Sequence, residues 1–290
     1  MTGAETSPPG GLGGTAVFSC RDIVKTYEGT PVVSGINLDL ERGGLISLLG
    51  PSGAGKTTLF NVLAGVDQPD GGRIYLNGED ITGQSGRVSY MMQRDLLLEY
   101  RTALDNAILP LVIRGMKKKA ARDYASSFFP AFGLGGCEKK YPRQLSGGMR
   151  QRAALLRACL QCAAPGPGGT AEARRGPVIL LDEPFSALDA LTRRTMRGWF
   201  QDIARSAASP LGSGNLSGVF ITHDVEEALI LSDRVYILTA KPGRPGPGTI
   251  SAVFTIETKR PRGEEFSLTP EFAALKRRIL AAIDQGRGPT

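Results

Sequence analysis

Two short stretches of this sequence are suited to holding anions. The first, "GPSGAGKT", runs from Gly50 through Pro51, Ser52, Gly53, Ala54, Gly55 and Lys56 to Thr57 and fits the pattern G-x-x-x-x-G-K-[ST]. Its glycines let the backbone curl until successive N–H groups face one anion. A helix beginning there adds about half a positive charge directed at the same point. Lys56 is then placed to reach the β- and γ-phosphates of a nucleotide, and Thr57 to offer its hydroxyl to Mg²⁺. The alternative, a glycine turn beside a surface lysine, fits less well, because the apolar run "LISLL" precedes the motif and a helical pattern follows it. The second stretch, "QLSGGMRQRAALLRACL", places Ser146, Gly147 and Gly148 at the start of another helix.

Four further residues complete the chemistry. In "VILLDEP" four apolar residues carry a buried strand to Asp182, whose carboxylate emerges where open α/β sheets place ligands and can bind Mg²⁺ through its water shell. Glu183 follows as the candidate general base for an attacking water. Two acids capping a strand is the plainer alternative. His223, the sole histidine, ends the strand pattern "GVFIT" on the same sheet edge, where it can hydrogen-bond a γ-phosphate. Gln93 follows "VSYMM" at another strand end, where its amide can sense Mg²⁺ or the water.

One nucleotide needs only one cradle. The second helix start therefore suits the far side of a γ-phosphate held by another copy of the chain, related by a two-fold axis. The competing reading is a helix N-cap by Ser146 with no ligand.

These residues need a scaffold, and the pattern supplies one. Residues 17–49 read as short strands joined by glycine turns, and "GGRIYLNGEDI" as a hairpin turning at Asn77-Gly78. A helix is expected over Thr57–Ala64 and a strand over Val88–Met92. Residues 102–160 carry helical periodicity. Strands and helices then alternate from Val178 to Thr239, which implies a mostly parallel α/β sheet. Three Gly/Pro/Ser/Ala-rich stretches, 163–177, 206–218 and 241–248, read as surface loops. "TPEFAALKRRILAAIDQG" reads as an amphipathic helix begun by Thr269-Pro270. The expected division is a tail at 1–16, a domain at 17–250 with a helical insert at about 94–160, and a C-terminal extension at 251–290.

Composition narrows the classes. No apolar run is long enough to cross a bilayer, and the opening "MTGAETSPPGGLGG" lacks the basic and apolar regions of a secretory signal. The net charge of +7 favours acidic partners such as nucleotides, anionic lipid or nucleic acid. Cys20, Cys137, Cys159 and Cys162 are too scattered for a disulfide framework, and Cys159-Leu-Gln-Cys162 reads as buried free thiols, which fits a reducing cytoplasm.

Taken together, "GPSGAGKT", Gln93, "LSGGMRQR", "VILLDEP", "SALD" and His223 resemble an ATP-binding-cassette (ABC) ATPase in order and spacing, over about 17–240. The resemblance implies a P-loop NTPase (RecA-like) core with an antiparallel β-subdomain and an inserted α-helical subdomain. It assigns Tyr27 to stacking on adenine and Gly50 to Thr58 to ATP. It places Thr57, Gln93 and Asp182 around Mg²⁺. Glu183 is implied as catalytic base, His223 as the γ-phosphate switch, and Ser186 to Asp189 as a loop crossing the dimer. "YMMQRDLLLEYRTALDN", "YPRQLSGGMRQRAALLRA" and "HDVEEALILSDRVYIL" look like importer ATPases of the nitrate/sulfonate/taurine type, a group that includes carriers of the thiamine pyrimidine precursor, toward which "MMQRDLLL" leans.

That likeness implies a homodimer, integral membrane permease subunits, and an extracytoplasmic solute-binding protein acting through them. It implies a cytoplasmic location on the inner face of the membrane and no direct contact with the transported solute. Glu99-Tyr100 stands where relatives usually have Pro-Trp, in the segment expected to meet the permease. Two alternatives stay open: a soluble ABC ATPase acting on nucleic acid, though nucleic acid is not the expected partner, and a non-hydrolysing nucleotide-binding scaffold.

Overall fold

The computed structural model describes residues 16–163, 178–205, 216–240 and 246–285. Strands β1 (Ala16–Tyr27), β2 (Thr30–Glu41) and β3 (Leu45–Leu49) lead into helix α1 (Lys56–Leu63). The hairpin β4 (Gly71–Leu76) and β5 (Glu79–Asp80) follows, turning at Asn77-Gly78, both at positive φ, and then β6 (Ser89–Met91). The helical block holds α2 (Ala103–Ala107), α3 (Leu109–Ile113), α4 (Lys118–Ser126) and α5 (Gly147–Ala163). Alternation resumes with β7 (Val178–Asp182), α6 (Ala190–Arg205), β8 (Ser217–Ile221), α7 (Val225–Leu231) and β9 (Arg234–Thr239). The last elements are β10 (Thr249–Thr255), α8 (Glu264–Ser267) and α9 (Pro270–Gln285).

Among the described residues the strands form two sheets, β2-β1-β4-β5 and β10-β9-β3-β8-β7-β6. The first is antiparallel. In the second, every pair from β9 to β6 is parallel, and β10 adds antiparallel to β9. The apolar runs of β3, β7 and β8 are explained by burial of both faces of this sheet. Along β7, Ile179 and Leu181 pack toward the helical block with Phe132, Leu156 and Phe200. Val178 and Leu180 point the other way, into the core shared by α1 and the antiparallel sheet. This is the period of two expected of a strand.

The C-terminal segment is joined to the core. Strand β10 runs across residue 250, the expected boundary, so that boundary cuts a strand of the main sheet. Helix α9 is capped by Thr269, whose Oγ1 accepts from Phe272 N at 3.2 Å, and it buries Phe272, Leu275 and Ile279 against α7 and β9. Arg262 lies buried between these parts. Its guanidinium donates to the carbonyls of Leu229 (3.0 Å) and Ser232 (2.7 Å) at the end of α7, and to Thr258 O (2.7 Å). Burial pulls its pKa down to about 10.

Other boundaries shift by short lengths. Ala16, expected in the tail, already pairs with Glu41. Ser217, expected in a loop, opens β8, one residue before the expected strand "GVFIT". Residues 1–15, 164–177, 206–215 and 241–245 of the expected tail and loops lie outside the described residues. Helix α6 begins at Ala190, one residue early, and its expected last residues, 206–208, are also outside. All four cysteines are free, and burial pushes the thiols of Cys159 and Cys162 well up.

Candidate nucleotide-binding site

The phosphate-type loop leaves the C-terminal end of β3, where backbone crowding dictates its glycines. A Cβ on Gly50 would lie 2.0 Å from Leu238 O, and one on Gly55 2.6 Å from Val33 Cγ1. Gly53 and Gly55 also adopt φ of 81° and 91°, the left-handed region that favours glycine. Gly55 precedes α1 and supplies no side-chain cap, so the first N–H groups of the helix are left for a ligand. Pro51 O accepts from Ala54 N at 3.3 Å and closes the turn. The Lys56 ammonium is buried and donates back to Gly50 O (2.8 Å) and Pro51 O (2.9 Å). Burial lowers its pKa, against the opposing pull of Glu183 and Asp182.

Beside it, Thr57 Oγ1 donates to Asp182 Oδ2 at 3.0 Å. The other carboxylate oxygen, Asp182 Oδ1, is buried with no hydrogen-bond partner among the described residues. Burial raises the pKa of this carboxyl. An orphaned carboxylate oxygen is costly and implies a missing positive or donating partner. Among the described residues no group of three or more His, Cys, Asp or Glu side chains could hold a metal ion by itself. A cation at Asp182 would therefore complete its shell mainly with water and phosphate oxygens, as Mg²⁺ does.

Glu183 sits at φ 53°, a left-handed conformation that costs a non-glycine residue about 1–3 kcal/mol and needs surrounding bonds to hold it. Glu183 N donates to Ile221 O at 3.0 Å, and its carboxylate Oε1 meets His223 Nε2. Ser52, Gly53, Lys56, Thr57, Thr58 and Gln93 join Glu183 and His223 around a cavity of about 300 Å³. A second cavity of about 630 Å³ shares Glu183 and His223 and extends past α7 to Lys276 and Leu280 of α9.

The remaining expected residues lie elsewhere. Tyr27 is half exposed at the end of β1 and does not line the 300 Å³ cavity. Its hydroxyl donates to Asp67 Oδ2 at 2.7 Å, and Lys25 Nζ lies 5.1 Å from its ring centroid. Ser146 Oγ accepts from Met149 N at 3.3 Å, and Ser146, Gly147 and Gly148 are absent from the cavity wall. Asp189 caps α6, accepting from Thr192 N (3.0 Å) and Thr192 Oγ1 (2.6 Å).

Two residues given no role in the sequence, Gly248 and the Gln151 of "LSGGMRQR", belong to this region. Gly248, at the end of an expected surface loop, runs under the phosphate-type loop: a Cβ there would lie 2.1 Å from Ala54 O. Its only signal in the sequence was its residue type, which did not distinguish it from the neighbouring glycines. Gln151 is buried on α5 and reaches the Glu183 carbonyl. Its signal in the sequence was its place in the "QR" that closes "LSGGMRQR".

Comparison with known proteins gives the family. Residues 33–164 match the ABC transporter family. The formylaminopyrimidine import ATP-binding protein ThiZ of Halalkalibacterium halodurans is 41% identical over 213 residues, 73% of this chain and 75% of that protein. The aliphatic sulfonates import ATP-binding protein SsuB of Bacillus licheniformis is 34% identical over 255 residues, 88% of each. A solved dimeric ATP-binding cassette bound to ADP and Pi superposes with a TM-score of 0.67 at 24% identity, covering 85% of this chain and 99% of its own. That likeness is one of fold. With relatives this similar along most of its length, the chain belongs to the ABC transporter family, as an ATP-binding and ATP-hydrolysing subunit.

Proposed function

We propose that this chain is the motor of an importer. Two copies close head to tail on two ATP molecules beneath membrane permease subunits, and an extracytoplasmic solute-binding protein delivers the cargo. One observation carries the pairing: the Lys56 cavity contains Glu183 and His223 but not Ser146, Gly147 or Gly148. A second copy can bring that helix start over the exposed γ-phosphate, with its Asp189 loop alongside. The relatives named for formylaminopyrimidine and for aliphatic sulfonates support a small solute of the nitrate/sulfonate/taurine or thiamine-precursor class. No described helix is long and apolar enough to cross a membrane. The motor then works from the inner face of the membrane, held there by the permease, and does not touch the solute.

In this reading the loop from Gly50 to Thr58 grips the phosphates and Tyr27 stacks on adenine. Mg²⁺ fits the orphaned Asp182 Oδ1 with Thr57 and Gln93 beside it, and when bound it neutralises charge on the phosphate oxygens. Glu183 takes the proton of the water that attacks the γ-phosphoryl group. The new O–P bond forms as the bond to the bridging oxygen breaks, and ADP carries that oxygen away. His223, already on Glu183 Oε1, orients the base and reaches the γ-phosphate. Loss of the γ-phosphate removes the contacts between the copies and lets them part. The test is ATP turnover by purified wild type and Glu183→Gln. The variant is expected to lose about 10²–10⁴-fold in kcat, the usual contribution of a general base, and to accumulate ATP-loaded dimers on size-exclusion chromatography. Equal turnover in the two proteins, or an ATP-loaded variant that stays a single chain, overturns the reading.

A further inference from the structure

Glu183 is held in its left-handed backbone conformation by several bonds, and one reaches it from the helix that begins at the Ser146-Gly147-Gly148 turn. Gln151 Nε2 donates to Glu183 O at 2.8 Å and lies 3.2 Å from Ser186 Oγ. Its Oε1 accepts from Ala187 N at 2.9 Å. Ser186 Oγ donates to the same Glu183 carbonyl at 3.0 Å, so side chains of α5 and of the loop after β7 converge on one oxygen. Packing gives a second link: a Cβ on Gly148 would stand 3.1 Å from Leu188 Cδ2 and 3.4 Å from Ala187 O. On the far side, Arg193 Nη2 donates to Leu188 O at 3.0 Å and closes the same loop against α6. The Gln151 amide is buried, so water cannot replace either of its bonds.

We propose that Gln151 is a positioning residue for hydrolysis. It fixes the Glu183 backbone and thereby aims the carboxylate, and it makes the Ser146 helix start and the base move as one body. This rests on the reading above, in which Glu183 is the base and Ser146 faces the ATP of the other copy. A subunit that docks onto its twin's nucleotide then sets the angle of its own base through this joint. The carboxylate itself makes no contact with Gln151. The residue therefore acts on the rate of the chemical step and leaves the grip on ATP to the Lys56 loop.

The experiment compares full-length wild type, Gln151→Met, Glu183→Gln and the double variant in single-turnover and steady-state ATP hydrolysis. Met keeps the volume of the side chain and removes the amide. Gln151→Met is expected to lower kcat by about 10–100-fold with KM for ATP within twofold and a cooperative thermal transition retained. In the Glu183→Gln background the same change is expected to cost less than twofold, because there is no base left to aim. A kcat within twofold of wild type overturns the proposal. So does an equal loss in both backgrounds, which marks a merely structural role. If Gln151→Met does not fold, Gln151→Glu, which keeps the acceptor for Ala187 N–H and loses the donor, is read against the same limits. Should Glu183→Gln turn over like wild type, the base assignment fails instead, a result separable from any effect of Gln151.

Discussion

Glu227 offers a direct test of how burial controls charge around His223. It lies on α7, four residues beyond the histidine, with its side chain buried. Loss of solvent pushes its carboxyl from the ordinary 4.5 up to about 7. A hydrogen bond with the Thr222 side chain and the charges of Arg197 and Arg193 oppose that rise, and Asp224 adds to it. Between pH 4.5 and 7 the folded chain therefore holds a proton that the unfolded chain has released. Stability falls as pH rises through that window and levels off above it. At 1.36 kcal/mol per pH unit, the full loss is about 3 kcal/mol. Glu227→Gln keeps the shape and an oxygen for Thr222 but carries no charge to desolvate. Thermal unfolding of both proteins from pH 5 to pH 8 isolates the effect, because other titrating groups cancel in the difference. About 2.5 kcal/mol of that loss falls between pH 5 and pH 8, so the midpoint of the variant is expected to gain on that of wild type by about 5–10 °C across the range, at about 2–4 °C per kcal/mol. A difference that stays flat within about 1 °C, or one that falls with pH, refutes the reasoning.

Two other substitutions probe the supports of the site. Gly248→Ala places a methyl against Ala54 O and pushes the phosphate-type loop; KM for ATP is expected to rise about tenfold while the chain stays folded, at a cost of about 1–3 kcal/mol in urea unfolding. An unchanged KM would show that the loop tolerates the displacement. Arg262→Met leaves the carbonyls of Leu229, Ser232 and Thr258 without their donor and is expected to cost about 2–4 kcal/mol, measured by the urea midpoint. A loss below about 1 kcal/mol would mean that water reaches those carbonyls.

What could be read in the sequence were features governed by neighbours in the chain. Asn77-Gly78 announces its hairpin because both residues must adopt positive φ, and "VILLD" announces a strand buried on both faces. The phosphate-type loop is legible because its glycines, lysine and threonine act within eight positions. Strand β10 was missed because it is an edge strand, alternating between half-buried and exposed residues beside a glycine- and proline-rich stretch. Nothing in the residues beside Arg262 marks it as buried, because the carbonyls at the end of α7 that anchor its guanidinium lie about thirty positions away. The partners of Gln151 are hidden for the same reason: they lie across the fold, on the loop after β7.

The two anion-suited helix starts differ in a way that bears on their roles. Helix α1 begins after Gly55 with no side-chain cap, and its lysine is drawn back onto the carbonyls of Gly50 and Pro51, forming no ion pair among the described residues although Glu183 and Asp182 lie near enough to pull on its charge. An uncapped start of this kind suits the end that, in the proposed mechanism, holds nucleotide through the cycle. Helix α5 begins with a cap already made, since Ser146 Oγ accepts from Met149 N. An oxygen that accepts in this way still has its O–H to donate, and Ser146 and Gly147 are exposed. The second start is therefore satisfied when alone and can add one donor and a helix dipole to a phosphate presented from outside. An end that is stable both with and without its ligand can engage and release once per cycle. Gln151 ties that end to the strained backbone of Glu183, so in the proposed mechanism each engagement is felt at the base.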